Sequence, residues 1–134
     1  MIEMPESIIK GHGLDIVDVD EFATLFSGEK ITFLSRYFTE KELSATPNDQ
    51  RRFSRLAGRF AAKEATLKAL MTAWGDGVSF TDVEILNHST GAPWVRLHRK
   101  LDALAKDKGI SEFHISISHT EKLAVASSIA ISAS

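Results

Sequence analysis

Ala57, Gly58, Ala61, Ala62, Ala65 and Ala69 recur at helical steps in one stretch of this chain, and small side chains at that spacing let a second backbone settle directly onto a helix. The fold has to be built around the helix that carries them. Around these residues, Phe53, Leu56, Phe60, Leu67, Leu70 and Met71 follow three- and four-residue steps, which predicts one long helix from about Asp49 to about Thr72 with a single buried stripe. Pro47-Asn48-Asp49 supplies a stop for what precedes and candidate N-caps for the helix, and Gly75-Asp76-Gly77 ends it. A glycine in a helix interior costs about 1 kcal/mol relative to alanine, so Gly58 points to tight packing on a neighbouring strand or helix.

The same helix is charged in a particular way. Glu64 and Lys68 stand four residues apart, so they project side by side. Arg59 and Lys63 form a second pair at that spacing. An anion and a cation on one apolar-flanked face are the equipment for gripping a metal-bound phosphate. A lone Glu-Lys pair at this spacing is, however, most often a surface salt bridge, so other segments must raise the odds.

Ile8 to Val19 carries Gly11, Gly13 and the β-branched residues Ile16, Val17 and Val19, the composition of a strand that ends near an acidic turn, with Asp15 on it or at its end. Glu21 to Tyr37 is broken by Ser27-Gly28 and predicts one or two short helices. Thr39-Glu40-Lys41-Glu42 matches the capping box that starts another. Val78 to Leu86 and Trp94 to Leu97 flank a turn-rich connection and predict two antiparallel strands. Arg99 to Lys108 predicts an amphipathic helix stopped by Gly109, and Phe113 to Ser118 and Leu123 to Ile131 predict a hairpin turning at residues 119–122. The order is β-α-α-α-β-β-α-β-β, an α+β fold with an antiparallel sheet packed against a long central helix. At 134 residues it is expected to be one domain, residues 1–134.

Composition removes several function classes. Lys+Arg 16 against Asp+Glu 18 gives a net charge of -2, with no overall pull toward nucleic acid or anionic membrane. Charge is unevenly placed: Glu3, Glu6, Asp15, Asp18, Asp20 and Glu21 crowd the start, while Arg51, Arg52, Arg55, Arg59, Lys63 and Lys68 fill the middle. With zero cysteines there is no disulfide, zinc thiolate or thiol nucleophile. No apolar run approaches a membrane span and no basic-then-apolar leader is present, so a cytoplasmic location is expected. Trp74 and Trp94 are expected to be core or interface aromatics.

Three segments, taken together, resemble one family. Gly13-Leu14-Asp15-Ile16-Val17, then Arg59-Phe60-Ala61-Ala62-Lys63-Glu64-Ala65 with Lys68, then Ile115-Ser116-Ile117-Ser118-His119-Thr120 resemble the holo-acyl-carrier-protein synthase branch of the 4'-phosphopantetheinyl transferases. Phe38-Thr39-Glu40-Lys41-Glu42-Leu43 is a further match. The resemblance implies transfer of the phosphopantetheine arm of coenzyme A to a serine of apo acyl carrier protein (fatty-acid, polyketide or other), releasing 3',5'-ADP. It also implies a small homotrimer with active sites between subunits and a catalytic Mg2+. By position, Asp15 and Glu64 correspond to the metal-binding carboxylates and Lys68 to the active-site lysine. His119, with Ser118 and Thr120, corresponds to the signature that closes the nucleotide site. Arg59 and Lys63 join Lys68, Ser118, His119 and Thr120 as expected coenzyme A contacts, and Arg51, Arg52 and Arg55 are expected to dock the acidic carrier.

The chemistry agrees. Breaking a diphosphate requires charge neutralisation at both phosphates, and magnesium takes oxygen ligands from one or two carboxylates while leaving room for water and phosphate. Asp15 and Glu64 meet that need only if the first strand packs beside the long helix. Lys68 would act as charge clamp or proton donor, and Glu64, directly or through water, is the preferred base for the serine hydroxyl. Two departures from the family pattern stand out. Met71-Thr72-Ala73 replaces a common Gly-Thr-Gly phrase, and Asp20, Glu21 and Phe22 stand where a basic residue often faces the carrier. They keep open a non-catalytic scaffold of the same fold, beside another metal-dependent phosphotransferase.

Overall fold

The computed structural model describes residues 8–132; Glu3 and Glu6 of the acidic opening lie outside them. The chain forms β1 (Ile9–Asp18), α1 (Val19–Thr24), a 3-10 turn (Gly28–Phe33), α2 (Leu34–Tyr37), α3 (Glu40–Ser44) and the long α4 (Arg52–Ala69). A 3-10 turn (Phe80–Asp82), β2 (Val83–Asn87), β3 (Pro93–Leu97), α5 (Arg99–Asp107), β4 (Ile110–His119) and β5 (Leu123–Ser132) follow. The architecture is the expected α+β one. The strands divide between two ladders: β1-β5-β4 form a three-stranded antiparallel sheet, and β2-β3 form a separate hairpin.

Glycines on the first strand bring sheet and helix together. Alternation along β1 turns Gly11, Gly13, Asp15 and Val17 toward α4, while Leu14 and Ile16 point away and remain 57% and 63% exposed. A Cβ on Gly11 would stand 2.0 Å from the Ala69 carbonyl oxygen, and one on Gly13 1.8 Å from that of Ala65. Only glycine permits this approach. At the opposite edge of the same sheet, a Cβ on Gly58 would stand 2.8 Å from Cγ2 of Ile117 on β4, which is the close neighbour that the glycine foretold. The small-residue stripe therefore sits under the sheet, with Ala61, Ala65, Ala126 and Ala130 fully or almost fully buried in one core cluster. Phe22, Phe26, Phe38 and Leu56 anchor a second cluster beneath α1 and α2.

Both ends of α4 fall about three residues inside the expected limits. Asp49 is held in a turn instead, with Oδ1 accepting from the Arg51 amide at 2.9 Å. Leu70 caps the C-terminus and Met71 takes φ 55, so that the Met71 amide donates to the Lys68 carbonyl at 3.0 Å and the Thr72 amide to the Leu67 carbonyl at 3.2 Å, the Schellman pattern. Met71 is 73% exposed. Its expected place in the buried stripe is thus wrong, because the left-handed residue that ends the helix swings its side chain into solvent. Phe53 and Phe60 are only half-buried.

Behind α4 lies a buried polar cluster. The Thr39 capping box is present, the Thr39 amide donating to Glu42 Oε1 at 2.9 Å and the Glu42 amide to the Thr39 hydroxyl at 3.2 Å. Glu42 Oε1 also pairs with Lys63 Nζ at 2.8 Å, both side chains fully buried, and Glu42 Oε2 accepts from the Ile85 amide at 3.1 Å. Lys63 donates further to the carbonyls of Phe80 and Val83. The cap, the helix and the β2 edge are thereby tied at one point.

Candidate active site

Where β1 meets the middle of α4, the fold leaves a cavity of about 420 Å³. Asp15, Asp18, Glu21 and Glu64 give it an acidic lining, and Ile16, Val17, Phe22, Leu25 and Phe60 an apolar one. Asp15 and Glu64, 49 positions apart in the chain, meet here because Asp15 is one pleat beyond Gly13, on the strand face pressed against the helix. Lys68 Nζ bonds Asp15 Oδ1 at 3.1 Å and the Leu14 carbonyl at 2.9 Å, and its side chain is 53% exposed. Phe60, Glu64 and Lys68 are successive i, i+4 positions, so the helix presents an aromatic wall, an acid and an amine on one line.

Glu64 is held from the other side by Trp74, whose indole N–H donates to Glu64 Oε1 at 3.0 Å. Burial pushes the Glu64 carboxyl above its ordinary range; the Trp74 hydrogen bond pulls it down, the Asp15 charge raises it and Lys68 lowers it, and the net direction is upward. The site thus holds a carboxylate with enhanced proton affinity beside one paired to an ammonium.

The remaining expected site residues lie elsewhere. Arg59 and Lys63 do not line this cavity. Lys63 is buried against Glu42, and Arg59 donates to the Ile85 carbonyl on the β2 side of the helix. Burial is the main cause lowering the proton affinity of both cations. The expectation that they contact coenzyme A conflicts with this placement: at about 100° per residue their positions are rotated by roughly 100–180° around the helix from Glu64 and Lys68. His119 and Thr120 close the β4–β5 hairpin and line a separate cavity of about 430 Å³ with Gln50, Arg51 and Ser54 at the start of α4. Ten residues of helix separate Ser54 from Glu64, about 15 Å at the usual rise. Thr120 Oγ1 accepts from the Leu123 amide at 3.1 Å, and Ser118 is exposed. Of the three basic residues at the start of α4, Arg52 donates to the Thr46 carbonyl and Arg55 pairs with Asp49 at 2.9 Å, while Arg51, the N-cap, is exposed.

Trp74, expected to be a core or interface aromatic, does pack against the core cluster, and it also donates to Glu64, a bond that sequence reasoning did not find. Its signal would have been its place: five residues beyond Ala69, the last residue of a helix whose end turns the chain back toward Glu64. Asp18 is likewise a cavity residue with a second task, since its Oδ1 caps α1 by accepting from the Glu21 amide at 2.9 Å.

The sequence profile described as "4'-phosphopantetheinyl transferase superfamily" matches residues 11–126. The chain is 40% identical over 124 residues to the holo-[acyl-carrier-protein] synthase of Alkaliphilus oremlandii, covering 92% of this chain and 100% of that one. It is 36% identical over 119 residues to that of Halothermothrix orenii, covering 89% and 94%. Among solved structures, the holo-[acyl-carrier-protein] synthase of Neisseria meningitidis superposes with a TM-score of 0.81 at 33% identity, over 91% of this chain and 98% of that one. The Bacillus anthracis holo-(acyl-carrier-protein) synthase in complex with CoA (3',5'-ADP) gives 0.77 at 32% identity, over 95% and 100%.

Proposed function

The chain belongs to the 4'-phosphopantetheinyl transferase superfamily, and we propose that it moves the 4'-phosphopantetheine arm of coenzyme A onto a serine of apo acyl carrier protein, releasing 3',5'-ADP. The convergence of Asp15 and Glu64 on one cavity, with Lys68 paired to Asp15 at 3.1 Å beside it, carries this reading, and the relatives' names supply the carrier and the donor.

The donor set fits a magnesium ion. Among the described residues no group of three or more metal-ligating side chains gathers, so Asp15 and Glu64 would be its protein ligands. Magnesium, which completes its shell with water and substrate phosphate, suits such a pair, whereas a cage-seeking cation does not. Bound there, it would neutralise diphosphate charge. The chain's own groups do the rest. Lys68 offers an ammonium to the phosphate oxygen that leaves with 3',5'-ADP. Glu64, directly or through a water, takes the proton of the carrier serine. The serine oxygen then bonds to the phosphorus bearing the pantetheine arm as the bond from that phosphorus to the departing phosphate oxygen breaks. Buried Phe22 and half-buried Phe60 form the apolar wall of the cavity beside Glu64 and limit the water that can compete as acceptor.

A homotrimer with active sites between subunits completes the proposal. It is supported by the outer sheet face, where Leu14, Ile16 and Leu123 are exposed large apolar residues, and by the separation of His119 from the Asp15 cavity within one chain. In a trimer, His119, Ser118 and Thr120 of one subunit would close the nucleotide site of the next. Arg51 is the basic residue left to attract an acidic carrier. A cytoplasmic location follows from coenzyme A as donor, and among the described residues no helix is long and apolar enough to cross a membrane.

Intact-protein mass spectrometry tests the activity. An apo carrier incubated with the protein, coenzyme A and Mg2+ is expected to gain the phosphopantetheine mass, and Glu64→Gln or Lys68→Ala to reduce this gain strongly. Tight coenzyme A binding with no mass shift on any carrier of the same cell would make the protein a scaffold instead.

A further inference from the structure

We propose that Trp74 is a positioning residue for the Glu64 carboxylate, fixing it for a divalent cation through an aromatic clamp anchored on the same helix. The inference rests on the reading of Asp15 and Glu64 as cation holders. A free glutamate side chain rotates about three torsions, and a cation that binds it must first freeze them. Here the Trp74 indole N–H already holds Oε1 at 3.0 Å. The indole is itself fixed: its ring lies against Phe80 with centroids 4.2 Å apart, and Phe80 stacks on Phe60 at 5.5 Å. Phe60 stands one turn before Glu64 on α4. The contacts therefore run from Phe60 through Phe80 and Trp74 back to Glu64, a closed circuit that locks the carboxylate to the helix that bears it.

The kind of donor matters. An indole N–H donates and cannot accept, and it carries no charge. It fixes Glu64 without neutralising it, so the anion's charge remains for the cation. Asp15 is handled differently, by the ammonium of Lys68. Partners of this sort behind a ligand typically change metal affinity by about 10–100-fold when removed. Trp74→Phe keeps the ring in the clamp and deletes only the donor.

The test uses Mn2+ as probe, titrated against the full chain with saturating coenzyme A and read by the loss of the free-ion electron paramagnetic resonance signal. The wild-type protein is expected to bind, Glu64→Gln to lose that binding, and Trp74→Phe to bind about 10–100-fold more weakly. In turnover, the apparent KM for Mg2+ of Trp74→Phe is expected to rise by the same factor, with kcat at saturating metal falling far less. A second measurement does not depend on that variant folding. In the wild-type protein the Trp74 indole N–H proton resonance, distinguished from Trp94 with Trp94→Phe, should broaden on Mn2+ addition and shift when Glu64 is replaced by Ala. Equal Mn2+ affinity in wild type and Trp74→Phe, with Glu64→Gln deficient, overturns the clamp alone, as does an indole resonance that ignores both Mn2+ and the Glu64 replacement. No binding by the wild-type protein overturns the cation reading on which the clamp rests.

Discussion

Gly13 lies so close to Ala65 that a Cβ on it would stand 1.8 Å from the Ala65 carbonyl oxygen. That contact sets the distance between β1 and α4, and with it the meeting of Asp15 and Glu64. Gly13→Ala must push strand from helix. Overpacking of this kind costs about 1–3 kcal/mol, and the displaced Asp15 should weaken divalent-cation binding beyond the loss of stability. Urea denaturation together with a Mn2+ titration of the folded fraction checks both effects.

Lys63 and Lys68 should separate stability from activity. Lys63→Ala leaves Glu42 buried without its cation, a change that typically costs about 3–5 kcal/mol. Lys68 is half exposed and its ion pair contributes little to folding. Lys68→Ala is expected to keep its melting temperature while losing transfer activity, and Lys63→Ala to lose stability first. Thermal melts beside initial rates decide the matter.

Glu64 should cost the protein stability at neutral pH. Its folded carboxyl titrates above the ordinary 4.5, chiefly through burial. A carboxyl raised in this way binds its proton more tightly in the folded state, so stability is lost as pH climbs from 4.5 through the folded value and stays lower above it. Glu64→Gln, inactive, is expected to melt higher than wild type at pH 7, and the gap should close below pH 4.5. Melting curves across that range read the sign directly.

Met71 occupies a position made for glycine. With φ 55 and its side chain in solvent, it bears the left-handed cost that glycine avoids. Met71→Gly is expected to stabilise the protein by about 1 kcal/mol without altering metal affinity. Chemical denaturation measures the gain.

Much of this site was legible in the chain. Small residues on α4 and Gly11-x-Gly13 on β1 announce the same close approach from both partners, and period-two alternation then carries Asp15 to the helix side. The strand and helix order was readable from alternation, capping and turn residues. What escaped was angular. Arg59 and Lys63 share one face at i, i+4, but that face lies behind the helix, where Glu42, 21 positions upstream of Lys63, receives the ammonium. No local signal announces that partner. Trp74 escaped because its role depends on how the chain turns after Met71. The distance between His119 and the Asp15 cavity likewise depends on tertiary placement, since spacing along the sequence does not show which end of α4 a hairpin reaches.

The central claim is that Asp15 and Glu64 hold one divalent cation between them beside Lys68. Crystals grown with coenzyme A and Mn2+ test it most directly, through an anomalous difference map recorded at the manganese edge. The expected result is a single peak per active site within coordination distance of both carboxylates. A manganese peak touching neither side chain, or full coenzyme A occupancy with no peak in that cavity, would contradict it.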